Sequence, residues 1–130
     1  MAMSRRSAAD FMDTKRTFSF FFEKGRLRRI GVYLWEGKDT KQGVPAWRRA
    51  YELLQKDYGK VKIPDIQVSP KSEPVNADVL AFVAAGHAYA TGNTQMAPVN
   101  QPDEMRVFAR FMGAPFGNYF SVAIFFDPRP

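Results

Sequence analysis

The chain has 130 residues, 45% of them hydrophobic and 25% charged, which predicts one domain with a single hydrophobic core. It contains no cysteine and one histidine, so a disulfide-stabilised scaffold and the usual zinc sites are excluded. The formal net charge is +6, and residues 1–62 carry 15 Lys and Arg against 7 Asp and Glu, whereas residues 63–130 carry 4 against 6. This asymmetry favours an anionic partner, although the same charge could serve solubility alone.

The first elements in chain order are an N-terminal segment and a hairpin. Residues 4–15 are predicted to form a short N-terminal helix. The alternative prediction is that residues 1–15 form a mobile arm. Residues 17–23 and 29–36 both alternate in the manner of β-strands and are rich in aromatic side chains. Because a short connection with a glycine, residues 24–26, joins them, the segment predicts an antiparallel hairpin.

The middle of the chain predicts a loop, a helix and an extended segment. Residues 37–43 are polar and are expected to form a loop, and Pro45 is suited to the first turn of a helix. Aromatic and apolar residues then recur at helical spacing up to Tyr58, and Gly59 is placed to end the helix. Residues 60–75 are interrupted by prolines and predict an extended segment or edge strand followed by a loop.

The last third of the chain predicts two helices and a strand. Asn76 can cap a helix over residues 76–90, and a second helix is expected over residues 102–112, where Gly113 would end it. Residues 118–126 are apolar on both alternating sides, which is typical of a central strand covered on both faces.

These elements predict an α+β domain spanning residues 1–130. Its expected sheet is antiparallel and has three to four strands, made of the N-terminal hairpin plus the C-terminal strand. Two to three helices pack against this sheet in the predicted fold. We expect the C-terminal strand to insert beside the hairpin, because no other element could cover its two apolar faces.

The sequence offers little enzyme chemistry. No Walker motif and no G-x-G-x-x-G pattern occur, so no cofactor is expected. His87 could act as a general base, but no nucleophile elbow accompanies it, and a partly buried histidine bonded to a neighbour is the simpler interpretation. We therefore predict a non-enzymatic protein with neither catalytic nor metal-binding residues.

Location is predicted from the first residues and from the apolar segments. Arg5 and Arg6 are followed by no apolar run, so no secretory signal is expected. The longest apolar stretch, residues 79–90, is too short to span a bilayer. Together with the lack of cysteine, these features predict a cytoplasmic protein that does not enter a membrane.

The hairpin combines the two features that single-stranded nucleic acid requires. Cationic side chains can follow the phosphates, and exposed aromatic rings can stack on the bases. Phe21, Tyr33 and Trp35 are expected to share one face of the hairpin, and cations surround its turn. The leading hypothesis is a small accessory protein that binds nucleic acid with little sequence preference. Its candidate binding residues are Lys24, Arg26, Arg28, Arg29, Tyr33, Trp35, Arg48 and Arg49.

Two alternatives remain open at this stage. Both aromatic faces could be buried, with the cations only solvating the turn. The chain could also be a protein-interaction module, such as an inhibitor or an assembly subunit that docks on a larger complex, because Tyr, Trp and Arg are also enriched in protein interfaces. The small residues in the segment 81–92 favour close helix packing on the sheet or, alternatively, self-association as a homo-oligomer.

Overall fold

A computed structural model of the chain describes residues 2–11, 14–66, 77–113 and 118–129, with side chains from Arg16 onward. Within these residues, seven strands and two helices are present. In chain order they are β1 (Ala2–Phe11), β2 (Thr14–Glu23), β3 (Arg26–Gly37), α1 (Thr40–Tyr58), β4 (Val61–Lys62), α2 (Ala77–Thr91), β5 (Asn93–Pro98), β6 (Met105–Gly113) and β7 (Phe120–Pro128).

The strands form one antiparallel sheet. Its main part has six strands in the order β1-β2-β3-β7-β6-β5, and the two-residue β4 pairs with Ala97 and Pro98 at the outer side of β5. The prediction of an α+β fold agrees with this architecture. The prediction of three to four strands is wrong, because two segments that were expected to be helical or mobile are strands, and β5 adds a further strand where a loop was expected.

The first of these segments is the N-terminal arm. Residues 2–11 pair with β2 along their whole length, from Ala2 opposite Glu23 to Phe11 opposite Thr14, so the helix predicted over residues 4–15 is wrong. The segment has neither a helical nor an alternating apolar pattern of its own. Its strand conformation is explained by the free edge of β2, which offers unpaired backbone groups to a neighbouring strand.

The second segment is β6, where a helix was predicted over residues 102–112. The spacing of Met105, Phe108 and Met112 suggested a helical face, but residues 105–113 pair with β7 along their full length. Val107 and Phe111 are fully buried on one side of this strand, and Phe108 is buried on the other. A strand covered on both faces has apolar residues at nearly every position, so its spacing also satisfies a helical pattern.

The predicted hairpin and central strand are confirmed. Strands β2 and β3 pair around a turn in which Lys24 and Gly25 have φ angles of 53° and 76°, as a tight turn between twisted strands requires. Strand β7 lies between β3 and β6 and pairs with both. The C-terminal strand therefore inserts beside the hairpin, as its two apolar faces predicted.

Helix α1 begins earlier than the sequence predicted. Asp39 caps it by accepting a hydrogen bond of 3.0 Å from the backbone N–H of Lys41, so residues 40–43 belong to the helix and not to a loop. Its end at Gly59, which has a φ of 86°, is confirmed. Helix α2 agrees with the predicted helix over residues 76–90, whereas Asn76 and residues 67–75 lie outside the described residues.

Side chains alternate between the two faces of the sheet, and both helices pack on the same face. That face holds the main core, which includes Trp47 of α1 and Phe111 of β6. The other face carries a smaller cluster of strand residues, centred on Phe108, Ala123 and Phe125. We call it the open face, because no helix among the described residues packs on it.

Candidate nucleic-acid interface

Three neighbouring strands, β3, β7 and β6, bring a group of arginines and rings together at the centre of the open face. The register places Arg106 opposite Asp127 and Phe108 opposite Phe125, and the latter is also opposite Gly31 of β3. Because side chains two positions apart share a face, the same side of the sheet carries these residues and their i+2 neighbours. The resulting open-face cluster consists of Arg29, Tyr33, Arg106, Phe108, Arg110, Phe125 and Asp127.

Arg29 is the centre of this cluster. Its Nε and Nη2 atoms donate hydrogen bonds of 2.7 and 3.0 Å to the two carboxylate oxygens of Asp127. Its guanidinium carbon lies 5.1 Å from the ring centroids of both Phe108 and Phe125, within the range of a cation–π contact. Arg106 covers Phe108 in the same way, at 4.9 Å.

The rings below the arginines are themselves packed together. Phe108 and Phe125 stack with their centroids 5.3 Å apart, and Tyr33 meets Phe125 edge-on at 6.3 Å. Both phenylalanines are only 2% exposed, whereas Tyr33 and the guanidinium groups reach the surface. The flat groups that a ligand can reach are therefore the guanidinium planes and the Tyr33 ring. Phe21, which was predicted to share a face with Tyr33, pairs opposite Arg29, packs against this cluster and is partly exposed beside it.

The electrostatics of the cluster favour an additional anion. The hydrogen bonds to Asp127 raise the pKa of Arg29 despite its partial burial, so this arginine has a counterion within the face. Burial and the nearby charge of Arg29 instead lower the pKa of Arg110. Arg110 donates from Nε to the side-chain oxygen of Asn93 at 2.8 Å, which is a neutral acceptor. An anion at this position would relieve the like-charge repulsion between Arg29 and Arg110.

The β2–β3 turn extends the positive charge at one end of the sheet. Lys24, Arg26 and Arg28 are exposed there, and Arg129 follows β7 at the same end because Ile30 pairs with Phe126. Acidic residues also lie around this end, but they are outnumbered. Among the described side chains of this end and of the open-face cluster, seven are cationic and four are acidic, namely Glu23, Asp103, Glu104 and Asp127.

Trp35 does not belong to this surface. A bulge between Tyr33 and Trp35 shifts the register of β3, so Trp35 pairs opposite Val122 and turns to the helix side of the sheet. There its ring packs 5.9 Å from Phe111 and so close to α1 that a Cβ on Gly43 would lie 2.8 Å from it. The prediction that Tyr33 and Trp35 share one face is wrong, because alternation fails at the bulge.

Arg48 and Arg49 also lie away from the open face, on α1. Arg48 forms ion pairs of 2.7 Å with Glu52 on the same helix and with Asp78 on α2. Its hydrogen bond to Glu52 and the charge of Asp78 raise its pKa. The eight candidate residues are thus divided: the turn cations, Arg29 and Tyr33 lie on or beside the open face, whereas Trp35, Arg48 and Arg49 lie on the helix side.

Sequence reasoning missed Arg106, Phe108, Arg110 and Phe125. The first three were assigned to a helix, and Phe125 was treated only as one side of a buried strand. A signal was present, because Arg106, Phe108 and Arg110 alternate with the small or apolar Val107 and Ala109. That alternation separates a charged, aromatic face from a buried one, as in a half-exposed strand.

His87 is hydrogen-bonded where the end of α2 meets β5. Its Nδ1 atom lies 2.8 Å from the hydroxyl of Thr94, which donates in turn to the carbonyl oxygen of Ala84 at 3.2 Å. This chain of bonds ties the end of α2 to β5, since Thr94 is completely buried. The contact agrees with the simpler of the two interpretations of His87.

The described residues also bear on metal binding and on membrane insertion. Among the described residues, no group of three or more His, Cys, Asp or Glu side chains is arranged to hold a metal ion. Neither α1 nor α2, the helices of the described part of the chain, has the length and apolar character needed to cross a membrane. Comparisons with protein-family models, with curated proteins and with solved structures find no match.

Proposed function

We propose that this protein is a small, non-enzymatic accessory protein that binds single-stranded nucleic acid with little sequence preference on its open face. The observation that carries the proposal is the open-face cluster, in which three arginines lie over and beside a layer of rings with a single carboxylate, Asp127, among them. Trp35, Arg48 and Arg49 are not part of this binding surface.

The proposed contacts divide into two kinds. Arg106, Arg110 and the cations of the β2–β3 turn bind phosphates and release counterions from the strand. The Tyr33 ring and the guanidinium plane of Arg29 stack on bases, as arginine planes and aromatic rings do in complexes with unpaired strands. Every base has a flat face and every nucleotide a phosphate, so these contacts discriminate poorly between sequences.

The shape of the open face supports an unpaired strand over a duplex. The Tyr33 ring and the arginine guanidinium planes lie on the surface of the sheet between β3 and β6. No element that projects from the sheet carries them. A helix or narrow ribbon of the kind that the major groove admits is absent from this face of the described residues. An unpaired strand, by contrast, can lay its bases on a sheet surface.

Fluorescence anisotropy with labelled homopolymeric oligonucleotides and a matched duplex, over a range of salt concentrations, tests the proposal. We expect the single strands to bind more tightly and log K to fall with log salt, by about 0.7 for each phosphate neutralised. Arg106→Gln should weaken binding by about threefold to tenfold. It should also reduce the slope of log K against log salt by the contribution of about one phosphate contact.

Arg49→Gln is the matched control, because it removes an exposed arginine from α1 on the other side of the sheet. It should leave both affinity and salt dependence close to those of the unaltered chain. Affinity that is absent at low salt, that does not change with salt, or that Arg49→Gln reduces as much as Arg106→Gln would refute the proposed surface.

A further inference from the structure

The two outer edges of the sheet differ in how their backbone groups are covered. At the β5 edge, the two-residue β4 pairs with Ala97 and Pro98, and the carboxylate of Asp65 accepts a hydrogen bond of 3.3 Å from the backbone N–H of Gln95. Very short edge strands, proline and charged side chains are devices that keep an edge from pairing with another chain. The chain itself therefore limits pairing at this edge.

The opposite edge, formed by β1, is long and regular. Residues 2–11 pair with β2 without a shift of register, and the segment contains no proline. No strand among the described residues pairs with the other side of β1. An edge of this kind offers a row of backbone N–H and C=O groups to a further strand. The partner that fits this edge is therefore a β-strand, and the residues of β1 indicate which strand it is.

We propose that β1 pairs with the β1 strand of a second copy of this chain, antiparallel and across a two-fold axis perpendicular to the sheet. A strand directs the backbone groups of alternate residues to opposite sides. Two identical edges can therefore pair only positions that are both odd or both even. In the proposed register Ala8 lies on the axis, and Arg6 of each copy is opposite Asp10 of the other.

Charge distinguishes this register from its competitors within β1. If the pair is centred on residue 5 or 6, an arginine lies opposite its own copy, and centring on residue 7 places both arginines opposite alanines. Centring on residue 9 places Asp10 opposite an alanine. Opposite charges that face each other stabilise a strand pair, whereas like charges in the same positions destabilise it. The register centred on Ala8 is therefore the favoured one.

The pairing inside the chain leaves room for this contact. Arg6 is opposite Ser19 of β2, so the second copy supplies an acidic neighbour that β2 does not. Asp10 is opposite Lys15 of β2. Because a residue inside a sheet has a cross-strand neighbour on each side, position 10 then lies between Lys15 of its own chain and Arg6 of the other copy.

The same axis joins the open faces of the two copies into one surface. Because the axis is perpendicular to the sheet, both open faces lie on the same side of the extended sheet. Strand β7 is three strands away from β1, so the two open-face clusters lie about 34 Å apart at the usual strand spacing of about 4.8 Å. A long nucleic-acid strand can then reach both clusters, a consequence that rests on the proposed function, whereas the pairing of β1 does not.

Sedimentation velocity of the purified chain, from micromolar to submillimolar concentrations and without nucleic acid, tests the pairing. We expect a mass that rises with concentration from 14.8 kDa toward twice that value. Amide hydrogen exchange measured by NMR should slow at alternate residues between 5 and 11 as the dimer forms, because these amides gain a partner. A chain that is monomeric at every concentration, or a dimer that protects no amide of β1, overturns the proposal.

Charge reversal tests the register. Arg6→Asp and Asp10→Arg should each shift the midpoint of dissociation to about tenfold higher concentration, because both symmetric pairs become repulsive. The variant that carries both changes restores opposite charges between the copies, and its midpoint should return to within about threefold of the unaltered chain. Lys62→Asp makes the same change of charge as Arg6→Asp at an exposed position of β4, at the other edge, and should leave the midpoint unchanged.

The double variant also separates loss of the contact from loss of the fold. It contains both changed residues, so its recovery would show that neither single change had unfolded β1. Single reversals that do not weaken the dimer, or a double variant that does not recover it, overturn the proposal. None of these results depends on whether the open face binds nucleic acid.

Discussion

The two faces of the sheet bury aromatic rings to nearly the same extent but cover them by different means. On the helix side Phe111 is fully buried beneath Trp47. Trp47 is fixed in position because it belongs to helix α1. On the open face Phe108 is 2% exposed beneath the guanidinium groups of Arg29 and Arg106, which belong to the sheet itself. A helix cannot move aside without partial unfolding, whereas an arginine side chain can rotate. Similar burial is therefore produced by a helix on one face and by side chains of the sheet itself on the other.

The largest expected difference between the faces is in their response to truncation. Phe111→Ala should lower the free energy of unfolding by about 3–5 kcal/mol, because a cavity between a helix and a sheet relaxes poorly. Phe108→Ala should cost only about 1–3 kcal/mol, because arginine side chains can settle into the space and water can reach it. Urea denaturation of both variants measures the contrast, and equal losses would show that the open face is packed as rigidly as the core.

A smaller effect is expected at the ion pair of the open face. Asp127→Asn removes the carboxylate that holds Arg29 and should cost about 1–2 kcal/mol of stability, since both side chains are partly exposed. The same change removes a negative charge beside the proposed phosphate path and should raise affinity for a single strand about threefold. Urea denaturation and anisotropy at low salt measure the two changes.

Loss of stability with unchanged or weaker binding in this variant would contradict the proposed role of the open face. Glu52→Gln provides the control, because it also breaks an arginine–carboxylate pair but does so on α1. It should leave nucleic-acid affinity within about twofold of the unaltered chain, because Glu52 is exposed on α1 on the other side of the sheet and salt screens charges beyond a Debye length of about 8 Å.

The smallest expected effect is a pH dependence on the helix side. Burial, and to a lesser degree the neighbouring Asp57, raises the pKa of Tyr58 above its ordinary value near 10. The unfolded chain then loses this proton first, so stability that is complete below pH 10 is lost as the pH rises through the folded-state pKa. Unfolding curves of the unaltered chain and Tyr58→Phe should diverge above pH 10, with the variant losing less stability. Parallel curves would show that the phenol titrates as in the unfolded chain.

Local sequence patterns were sufficient wherever one face of an element is apolar and its ends carry a recognisable signal. The hairpin around Gly25 and the end of α1 at Gly59 both follow from such patterns. The start of α1 was missed because the capping role of Asp39 was hidden in a polar segment that resembled a loop. In each of these cases the interactions that decide the conformation lie within a few residues of one another.

The sequence by itself determined the α+β class, the aromatic hairpin and the excess of cations in the first sixty residues. The tertiary structure decided that residues 2–11 and 105–113 are strands, because each pairs along its whole length with the strand that follows it in the chain, and that pairing leaves no apolar pattern specific to a strand in the segment itself. It also decided which side chains meet. A single bulge in β3 turns Trp35 toward the helices, and the pairing of β6 with β7 brings Arg106 within reach of a ring that Arg29 also covers. The alternation within residues 106–110 could have shown which side chains of β6 share a face, but their partners on β3 and β7 are far apart in the chain and leave no local signal.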